Sequence, residues 1–360
     1  MIGKSHARAP AFTITRRTAL AGAAAACATR PEAPMRTAAR PIVIAHRGAS
    51  GERPEHTTSA YRRAILQGAD YIEPDLVLTR DGVLVCRHEN EISETTDVAQ
   101  RPEFAARKTV KTIDGVTVEG WFTEDFTLQE LKRLRCRERL PQLRPANTAF
   151  DGGEPILTFD EALDIAAGAG RPVGVYPETK HPAYFDGLGL SHDAPLLAAL
   201  TKRGFKTAAA PVFIQSFEVG NLERLSGRTG VRLVQLASGE GGPADRPGVR
   251  YRDMLTTEGL AAIARYAQGV GVEKALIVPR TPDGAAGPPT DLVDRAHAVG
   301  LLVHAWTYRA ENYFLPRDLR IGDSPAGQGD LAAEIRAHLA LGLDGVFCDF
   351  PAIAVAARDG

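Results

Sequence analysis

Side chains that can bind metal ions, bind phosphate or transfer protons follow four apolar runs of this sequence. They are His46 and Arg47 after the first run, Glu73 and Asp75 in the second, His88 at the end of the third, and Glu178 and Lys180 after the fourth. Parallel strands of an α/β barrel bring their carboxyl ends to one face, where barrel enzymes keep their active sites. We therefore expect these side chains to converge.

The second run places two carboxylates two residues apart. Residues i and i+2 of a strand project from the same face, so Glu73 and Asp75 would lie side by side. Two buried anions repel each other unless a counter-charge offsets them. A hard divalent cation such as Ca²⁺ or Mg²⁺ is one answer. The alternative is a pair of solvated carboxylates at a strand edge.

The third run alternates in the same way. It places Leu84, Cys86 and His88 on one face of a strand. If the two apolar residues face the core, His88 lies at the rim of the same interior.

Short apolar runs alternate with helical periods from residue 42 onward, which predicts a parallel sheet covered by helices. The candidate strands are 42–45, 71–78, 83–88, 173–176, 212–217, 231–236, 275–278, 301–306 and 346–350. The predicted helices are 57–67, 158–167, 194–202, 260–267, 292–298 and 331–341. Nine strands are one more than an eight-stranded barrel needs, and 275–278 is interpreted as a short extra strand or a loop. Asp81-Gly82 predicts a hairpin turn.

The stretch 89–153 interrupts this alternation and is interpreted as an insertion after the third strand. It is polar and contains one predicted helix, 128–135, with Thr127 and Glu130 as a capping box. The rest of it is predicted to form loops.

Composition excludes several classes of protein. The 360 residues include 43 basic and 44 acidic side chains, a formal net charge of −1. This balance gives no electrostatic footprint for nucleic acid. No apolar run is long enough for a transmembrane span. One large domain with an insertion fits the length.

The amino-terminal segment has the pattern of an export signal. Arg16 and Arg17 precede a short stretch of small apolar residues and resemble a twin-arginine signal. We expect residues 1–28 to be the signal, 29–41 a linker and 42–356 the barrel domain, in an exported protein that is periplasmic or extracellular. Cleavage after Ala28 is favoured over a lipid anchor at Cys27, and a flexible alanine-rich tail is the remaining alternative. Cleavage would leave three cysteines, which allow at most one disulfide.

Eight motifs together resemble the glycerophosphodiester phosphodiesterase family, specifically its exported bacterial branch. They are 45–48 (AHRG), 54–57 (PEHT), 73–76 (EPDL), 80–82 (RDG) leading to His88, 176–180 (YPETK), 215–217 (QSF), 304–307 (HAWT) and 344–351 (DGVFCDFP). The resemblance implies a TIM (β/α)₈ barrel with an insertion after the third strand. It also implies hydrolysis of glycerophosphodiesters, such as glycerophosphocholine and glycerophosphoethanolamine, to glycerol 3-phosphate and an alcohol.

The resemblance further implies roles for individual residues. Glu73, Asp75 and Glu178 would hold a divalent metal, with Ca²⁺ favoured and Mg²⁺ as the alternative, and His46 and His88 would form the acid–base pair. Arg47 and Lys180 suit an anionic phosphodiester. Phe217 and Trp306 either pack against the substrate's glycerol carbons or belong to the barrel core. Which histidine is the acid, and whether water or a substrate hydroxyl attacks, stays open.

Two other functions are compatible with these residues. One is a phospholipase or lyase of the same fold, acting on a lysophospholipid or sphingolipid headgroup. The other is a non-catalytic exported binding protein, which would need no acid–base pair. Other polar residues receive structural interpretations: His56 is placed at a helix N-cap and His181 in solvent, and Glu55 is given a structural role, with a position beside the site as the alternative.

Overall fold

The computed structural model of this protein describes residues 40–360, and thirteen strands lie within them. In chain order they are β1 (Ile42–His46), β2 (Tyr71–Glu73), β3 (Asp75–Leu78), β4 (Leu84–Cys86), β5 (Thr109–Ile113), β6 (Val116–Gly120), β7 (Gly174–Val175), β8 (Glu178–Thr179), β9 (Phe213–Ser216), β10 (Arg232–Ala237), β11 (Gly269–Glu273), β12 (Leu302–Tyr308) and β13 (Gly345–Cys348). The predicted export signal, with Cys27, and nearly all of the predicted linker lie outside the described residues.

Eight parallel strands close into a ring, two of which are interrupted. β2 and β3 flank Pro74, and β7 and β8 flank the dipeptide 176–177, which ends in a proline. Proline lacks the N–H that a strand ladder needs. The ring runs through β1, β2–β3, β7–β8, β9, β10, β11, β12 and β13, and β13 pairs back onto β1. The predicted TIM barrel is confirmed.

Of the two interpretations of 275–278, the loop is confirmed and the short extra strand is wrong. A 3₁₀ turn, Lys274–Leu276, occupies that stretch, and the sixth ring strand is β11. β11 was not predicted from the sequence, because Gly269 and Gly271 have low strand propensity. Gly271 is nevertheless suited to its place, since an added Cβ would lie 2.5 Å from the Leu236 side chain.

The run counted third in the sequence forms β4, which pairs antiparallel with β3 across the predicted Asp81-Gly82 turn. β4 stands outside the ring of eight. The insertion follows it, as predicted, and so lies between the second and third ring strands.

Helices surround the ring. They are α1 (Thr58–Leu66), α2 (Leu128–Leu131), α3 (Phe159–Ala167), α4 (Pro182–Gly187), α5 (Asp193–Lys202), α6 (Val219–Ser226), α7 (Tyr251–Met254), α8 (Thr257–Ile263), α9 (Leu292–Ala298), α10 (Leu331–Leu339) and α11 (Pro351–Asp359). Further 3₁₀ turns are Val98–Gln100, Pro102–Arg107, Thr123–Asp125, Pro145–Phe150 and Arg317–Leu319. Thr57 caps α1 and Thr158 caps α3 by accepting hydrogen bonds from backbone N–H groups of the first turn. The six helices predicted from periodicity are confirmed, with ends that differ by a few residues.

The insertion is more ordered than predicted. The capping box of Thr127 and Glu130 is confirmed, although α2 is shorter than the predicted helix. Strands β5 and β6 form an antiparallel hairpin where loops were expected. The missed signal was Asp114-Gly115 between two stretches rich in β-branched residues, a typical hairpin pattern.

Aromatic side chains fill the interior of the ring below its carboxyl ends. Tyr176 stacks on Phe213 with 4.9 Å between ring centroids and packs edge-on against Phe347 at 5.0 Å. Tyr176 Oη lies 2.7 Å from His304 Nδ1. Burial lowers the pKa of His304 to about 4, so this histidine is a neutral core residue. The barrel therefore has a closed floor beneath its open end.

The three cysteines of the described region are buried, free thiols: Cys86, Cys136 and Cys348. The disulfide that the sequence allows does not form among them. Between residues 40 and 360, no helix combines the length and apolar character needed to cross a bilayer.

Candidate active site

A cavity of about 540 Å³ opens at the carboxyl ends of the ring strands. Seven of the nine side chains predicted for the site line it: His46, Arg47, Glu73, His88, Glu178, Phe217 and Trp306. The other two, Asp75 and Lys180, lie 3.1 Å from Arg47 and 3.0 Å from Glu178, respectively. The structure thus brings all nine together.

Glu73, Asp75 and Glu178 form a buried carboxylate triad. One oxygen of each residue lies within 4.8 Å of the other two. Glu73 ends β2, Asp75 begins β3, and Asp75 is the register partner of Glu178 on β8. Strand pairing therefore sets the spacing of the triad, and the alternative of solvated edge carboxylates is wrong because all three residues are buried.

Burial and mutual repulsion separate the pKa values of the triad. Burial and the charge of Asp75 raise the pKa of Glu73 well above its ordinary value and that of Glu178 to about 7. Burial acts on Asp75 too, but Arg47 and a hydrogen bond from His56 hold its pKa well below the usual range. Asp75 Oδ1 is buried and makes no hydrogen bond within residues 40–360. Three carboxylates with an open oxygen fit a hard divalent cation, whose charge would offset the repulsion.

A sharp turn after β1 aims the backbone at this triad. Arg47 has φ 60° and Gly48 has φ 88°. The left-handed region is uncommon for a residue with a side chain, and such strain clusters at functional sites. Here it points the Arg47 N–H at Glu73 Oε2, 2.8 Å away. A Cβ on Gly48 would lie 2.7 Å from the backbone of Ala60, so the turn requires glycine.

Two buried side chains outside the triad donate hydrogen bonds to its carboxylates. His56 Nε2 donates to Asp75 Oδ2 at 3.0 Å, and Gln215 Nε2 donates to Glu73 Oε1 at 3.0 Å. The prediction that His56 is an N-cap is wrong, because Thr57 caps α1. Its imidazole orients a carboxylate of the site instead.

His46 is oriented by a carboxylate that follows β13. Its Nδ1 lies 2.6 Å from Asp349 Oδ1. Burial opposes ionisation of Asp349, but Arg144 and Arg309 hold its pKa well below the ordinary value. An ionised carboxylate only accepts hydrogen bonds, so His46 Nδ1 donates. Burial and the charge of Arg47 lower the pKa of His46 to about 4, which leaves Nε2 as an unprotonated acceptor at neutral pH.

The insertion supplies two of the cations around the site. Arg144 donates from NH2 to Asp349 Oδ2 at 2.5 Å and from Nε to Glu311 Oε1 at 2.6 Å. Arg139 donates from Nε to Glu55 Oε2 at 2.9 Å, and Arg47 donates to the same oxygen at 3.0 Å. Glu55 thus lies beside the site, which was the alternative interpretation of this residue, and links Arg47 to the insertion.

His88 lies between a carboxylate and an ammonium group. Its Nδ1 is 2.7 Å from Glu89 Oε1, and Lys180 Nζ donates to its Nε2 at 3.3 Å. Although burial opposes ionisation of Glu89, hydrogen bonds from His181 and His88 lower its pKa, so Glu89 accepts and His88 Nδ1 donates. Burial and the charges of Arg47 and Lys180 lower the pKa of His88 to about 3.

His181 fastens the insertion hairpin to the barrel. Its Nδ1 lies 2.6 Å from Asp114 Oδ2 at the hairpin turn, and its Nε2 lies 3.1 Å from Glu89 Oε2. Burial opposes its protonation, but these two carboxylates raise its pKa to about 9. The prediction of a solvated loop histidine is therefore wrong.

Phe217 and Trp306 form part of the cavity wall. Their ring centroids are 5.8 Å apart in an edge-to-face arrangement, and both side chains are only partly buried. They lie at the cavity, on the open side of the aromatic side chains that fill the barrel interior, and are not part of that buried cluster.

Sequence reasoning missed the partners that orient these groups. Gln215 and Asp349 lie inside two of the motifs quoted above, so their positions were available without a role. Glu89 follows His88 directly, but adjacency alone did not identify it as a hydrogen-bond partner. Arg139 and Arg144 lie in a stretch without periodicity, and no local signal distinguishes them from neighbouring arginines.

Comparison with known proteins agrees with this geometry. Residues 46–353 match the glycerophosphoryl diester phosphodiesterase family. Glycerophosphodiester phosphodiesterase GDPD6 of Arabidopsis thaliana is 37% identical over 348 residues, covering 90% of each chain. The glycerophosphodiester phosphodiesterase of Haemophilus influenzae is 30% identical over 299 residues, covering 75% of this chain and 79% of its own. A solved Oleispira antarctica phosphodiesterase, in complex with the product sn-glycerol-3-phosphate, shares the fold with a TM-score of 0.59 and 21% identity, covering 89% of this chain and 97% of its own.

Proposed function

Since this chain belongs to the glycerophosphoryl diester phosphodiesterase family, we propose that it hydrolyses glycerophosphodiesters, including glycerophosphocholine and glycerophosphoethanolamine, to glycerol 3-phosphate and an alcohol. It is a phosphoric diester hydrolase, and the proposal concerns its substrates, its metal and its catalytic residues. One observation carries it. Glu73 and Glu178 of the buried carboxylate triad line one cavity together with two imidazoles, and each imidazole is bound through Nδ1 to a carboxylate.

Glu73, Asp75 and Glu178 are proposed to hold one divalent cation. When bound, such a cation offsets the negative charge of the phosphodiester. An all-oxygen ligand set suits both Ca²⁺ and Mg²⁺, and we propose Ca²⁺, with Mg²⁺ as the alternative outcome of the test. Arg47 and Lys180 add positive charge directly beside the triad, on Asp75 and Glu178 respectively.

His46 is proposed as the general base. Asp349 keeps its proton on Nδ1, so Nε2 is free to take a proton from the attacking hydroxyl, whether of water or of the substrate's own glycerol. As the new bond to phosphorus forms, the bond to the leaving alkoxide breaks. Attack by water gives glycerol 3-phosphate directly, whereas attack by the glycerol hydroxyl gives a cyclic phosphate that water must then open to glycerol 3-phosphate.

His88 is proposed to give that alkoxide its proton. Burial, Arg47 and Lys180 lower its pKa in the free protein, and a bound phosphodiester anion acts in the opposite direction to these charges because it favours the protonated imidazole. Phe217 and Trp306 would lie along the carbon portions of the substrate.

The test is release of glycerol 3-phosphate from glycerophosphocholine by the purified protein. We expect activity to disappear after treatment with chelator and to return with Ca²⁺. Glu73→Gln, Asp75→Asn and Glu178→Gln should each lose it. Glu240→Gln is the matched control, because it removes an exposed carboxylate from the loop after β10 at the same end of the barrel. Full activity of chelated protein, or of all three triad variants, would overturn the proposal.

Export is a separate proposal. It is supported by Arg16 and Arg17 ahead of the small apolar stretch that ends near Ala28. Mass spectrometry of the protein recovered from cells should find Thr29 at the amino terminus, or a lipid on Cys27. Recovery of the intact amino terminus from the cytosolic fraction would contradict it.

A further inference from the structure

The cavity extends from the carboxylate triad across the barrel to the ends of β11 and β12. Glu273 ends β11, and its Cα is the register partner of Trp306 on β12. Register partners of parallel strands project from the same face, and both side chains line the cavity. The Phe217 ring lies 5.8 Å from that of Trp306. This side of the cavity therefore presents a carboxylate next to two aromatic rings.

The cations on the same wall already have carboxylate partners. Arg309 donates from Nε to Asp349 Oδ2 at 3.0 Å. Lys274 Nζ lies 2.8 Å from Glu334, and Arg280 lies 4.0 Å from that carboxylate. Because the paired carboxylates offset their positive charges, these three side chains interact more weakly with a charged ligand.

Glu273 has no such partner. Within residues 40–360, no Lys, Arg or His nitrogen lies within 4.0 Å of its carboxylate. Its Oε2 accepts hydrogen bonds from Gly239 N at 3.0 Å and from Ser238 Oγ at 3.4 Å, and its Oε1 accepts none from the described residues. The loop after β10 thus holds one uncompensated negative charge at the cavity wall.

We propose that Glu273, with Trp306 and Phe217, binds the cationic headgroup of the leaving alcohol. Ammonium groups are attracted to aromatic faces, to tryptophan most strongly, and to a carboxylate without its own counter-ion. The favoured substrates are then glycerophosphodiesters of amino alcohols, with a quaternary or primary ammonium group. Glu273 is the residue that determines specificity. This inference rests on the proposed function, with the phosphate at the triad and the headgroup across the cavity.

The test compares two esters that differ in charge alone. One is glycerophosphocholine, and the other is its uncharged carbon isostere, the 3,3-dimethylbutyl ester of glycerol 3-phosphate. We expect the wild-type ratio of kcat/KM, choline over dimethylbutyl, to be about tenfold, the sum of one cation–π and one carboxylate contact. Glu273→Gln keeps the acceptor for Gly239 N–H and should lower the ratio to about two- to fivefold, the share that the cation–π contact alone provides. Glu240→Gln, which removes a neighbouring exposed charge outside the cavity, should keep the wild-type ratio.

Three outcomes would overturn the inference. The first is a wild-type ratio near one, which would show, without any variant, that the enzyme does not favour the cationic headgroup. A Glu273→Gln protein that loses activity equally on both esters would place Glu273 at the glycerophosphate portion that they share. Glu240→Gln lowering the ratio as much as Glu273→Gln would show a general effect of net charge. Failure of the proposed function is distinct, because the wild type would then release glycerol 3-phosphate from neither ester, and the inference would fall with it.

Discussion

Asp349→Asn keeps the size of a side chain beside His46 and removes its charge. In the wild type the carboxylate accepts from His46 Nδ1 at 2.6 Å, which leaves Nε2 unprotonated. An asparagine amide can donate to Nδ1 instead, and the imidazole proton then moves to Nε2. His46 would have no acceptor facing the cavity.

Three changes are expected from this substitution. Loss of general-base catalysis lowers kcat/KM by about 10²- to 10⁴-fold. Asp349 also raises the pKa of His46 against burial and Arg47, so its removal moves the acid limb of the pH–rate profile to lower pH. Arg144 and Arg309 lose a buried counter-charge, which lowers the free energy of unfolding by roughly 3–5 kcal/mol.

The assay is glycerol 3-phosphate release from glycerophosphocholine between pH 3 and 9, a range that includes the His46 pKa of about 4, with thermal unfolding at each pH to confirm that each variant is folded. The double variant with His46→Ala should be no slower than His46→Ala alone, because Asp349 acts through His46. Glu311→Gln is the matched control. It removes another buried partner of Arg144 without touching His46, so stability should fall while kcat/KM stays close to wild type. A folded Asp349→Asn protein that loses less than about tenfold, or no more than Glu311→Gln, would refute the reasoning.

Three other predictions follow from the site. His88→Ala should lower kcat/KM on glycerophosphocholine by about 10²- to 10⁴-fold, and a p-nitrophenol leaving group should restore most of that loss; an equal loss on both esters would contradict its role as the acid. His181 has its pKa raised to about 9 from 6.5, so its contribution to stability, about 3 kcal/mol, is complete below pH 6.5 and disappears as the pH rises through 9. Urea unfolding of wild type and His181→Gln should therefore converge by pH 10, and a constant difference would contradict it. Gly48→Ala should cost about 2–4 kcal/mol from strain plus the contact with Ala60, against about 1 kcal/mol for Gly82→Ala, whose Cβ meets open space; similar melting temperatures for the two variants would contradict the steric argument.

The sequence predicts the barrel and the convergence of the nine site residues because both depend on local patterns. Strand periodicity places Glu73 and Asp75 on one face, and barrel topology gathers the ends of the strands. Where the local pattern is weak, prediction is wrong. β11 has two glycines among five residues and was not predicted, and only the apolar stretch that follows it was counted among the candidate strands.

Partners far apart in the chain could not be predicted. His46 and Asp349 are separated by 303 residues, and Arg144 and Asp349 by 205. Their pairing depends on ring closure between β1 and β13 and on where the insertion folds back. Neither is encoded in the residues next to them. His56 was misread for a related reason, since its partner Asp75 lies on another element.

The buried ion pairs make the insertion part of the site rather than an appendage. Asp349 and Glu55 are buried carboxylates, and each is bound both by a barrel arginine and by an insertion arginine, Arg144 or Arg139. Removing one partner of a buried pair leaves a charge without compensation, which costs far more than the pair contributes. A barrel without the insertion would therefore leave excess negative charge beside His46 and Arg47, so the chain segment that looks least regular in the sequence fixes the charge around the two groups that follow β1.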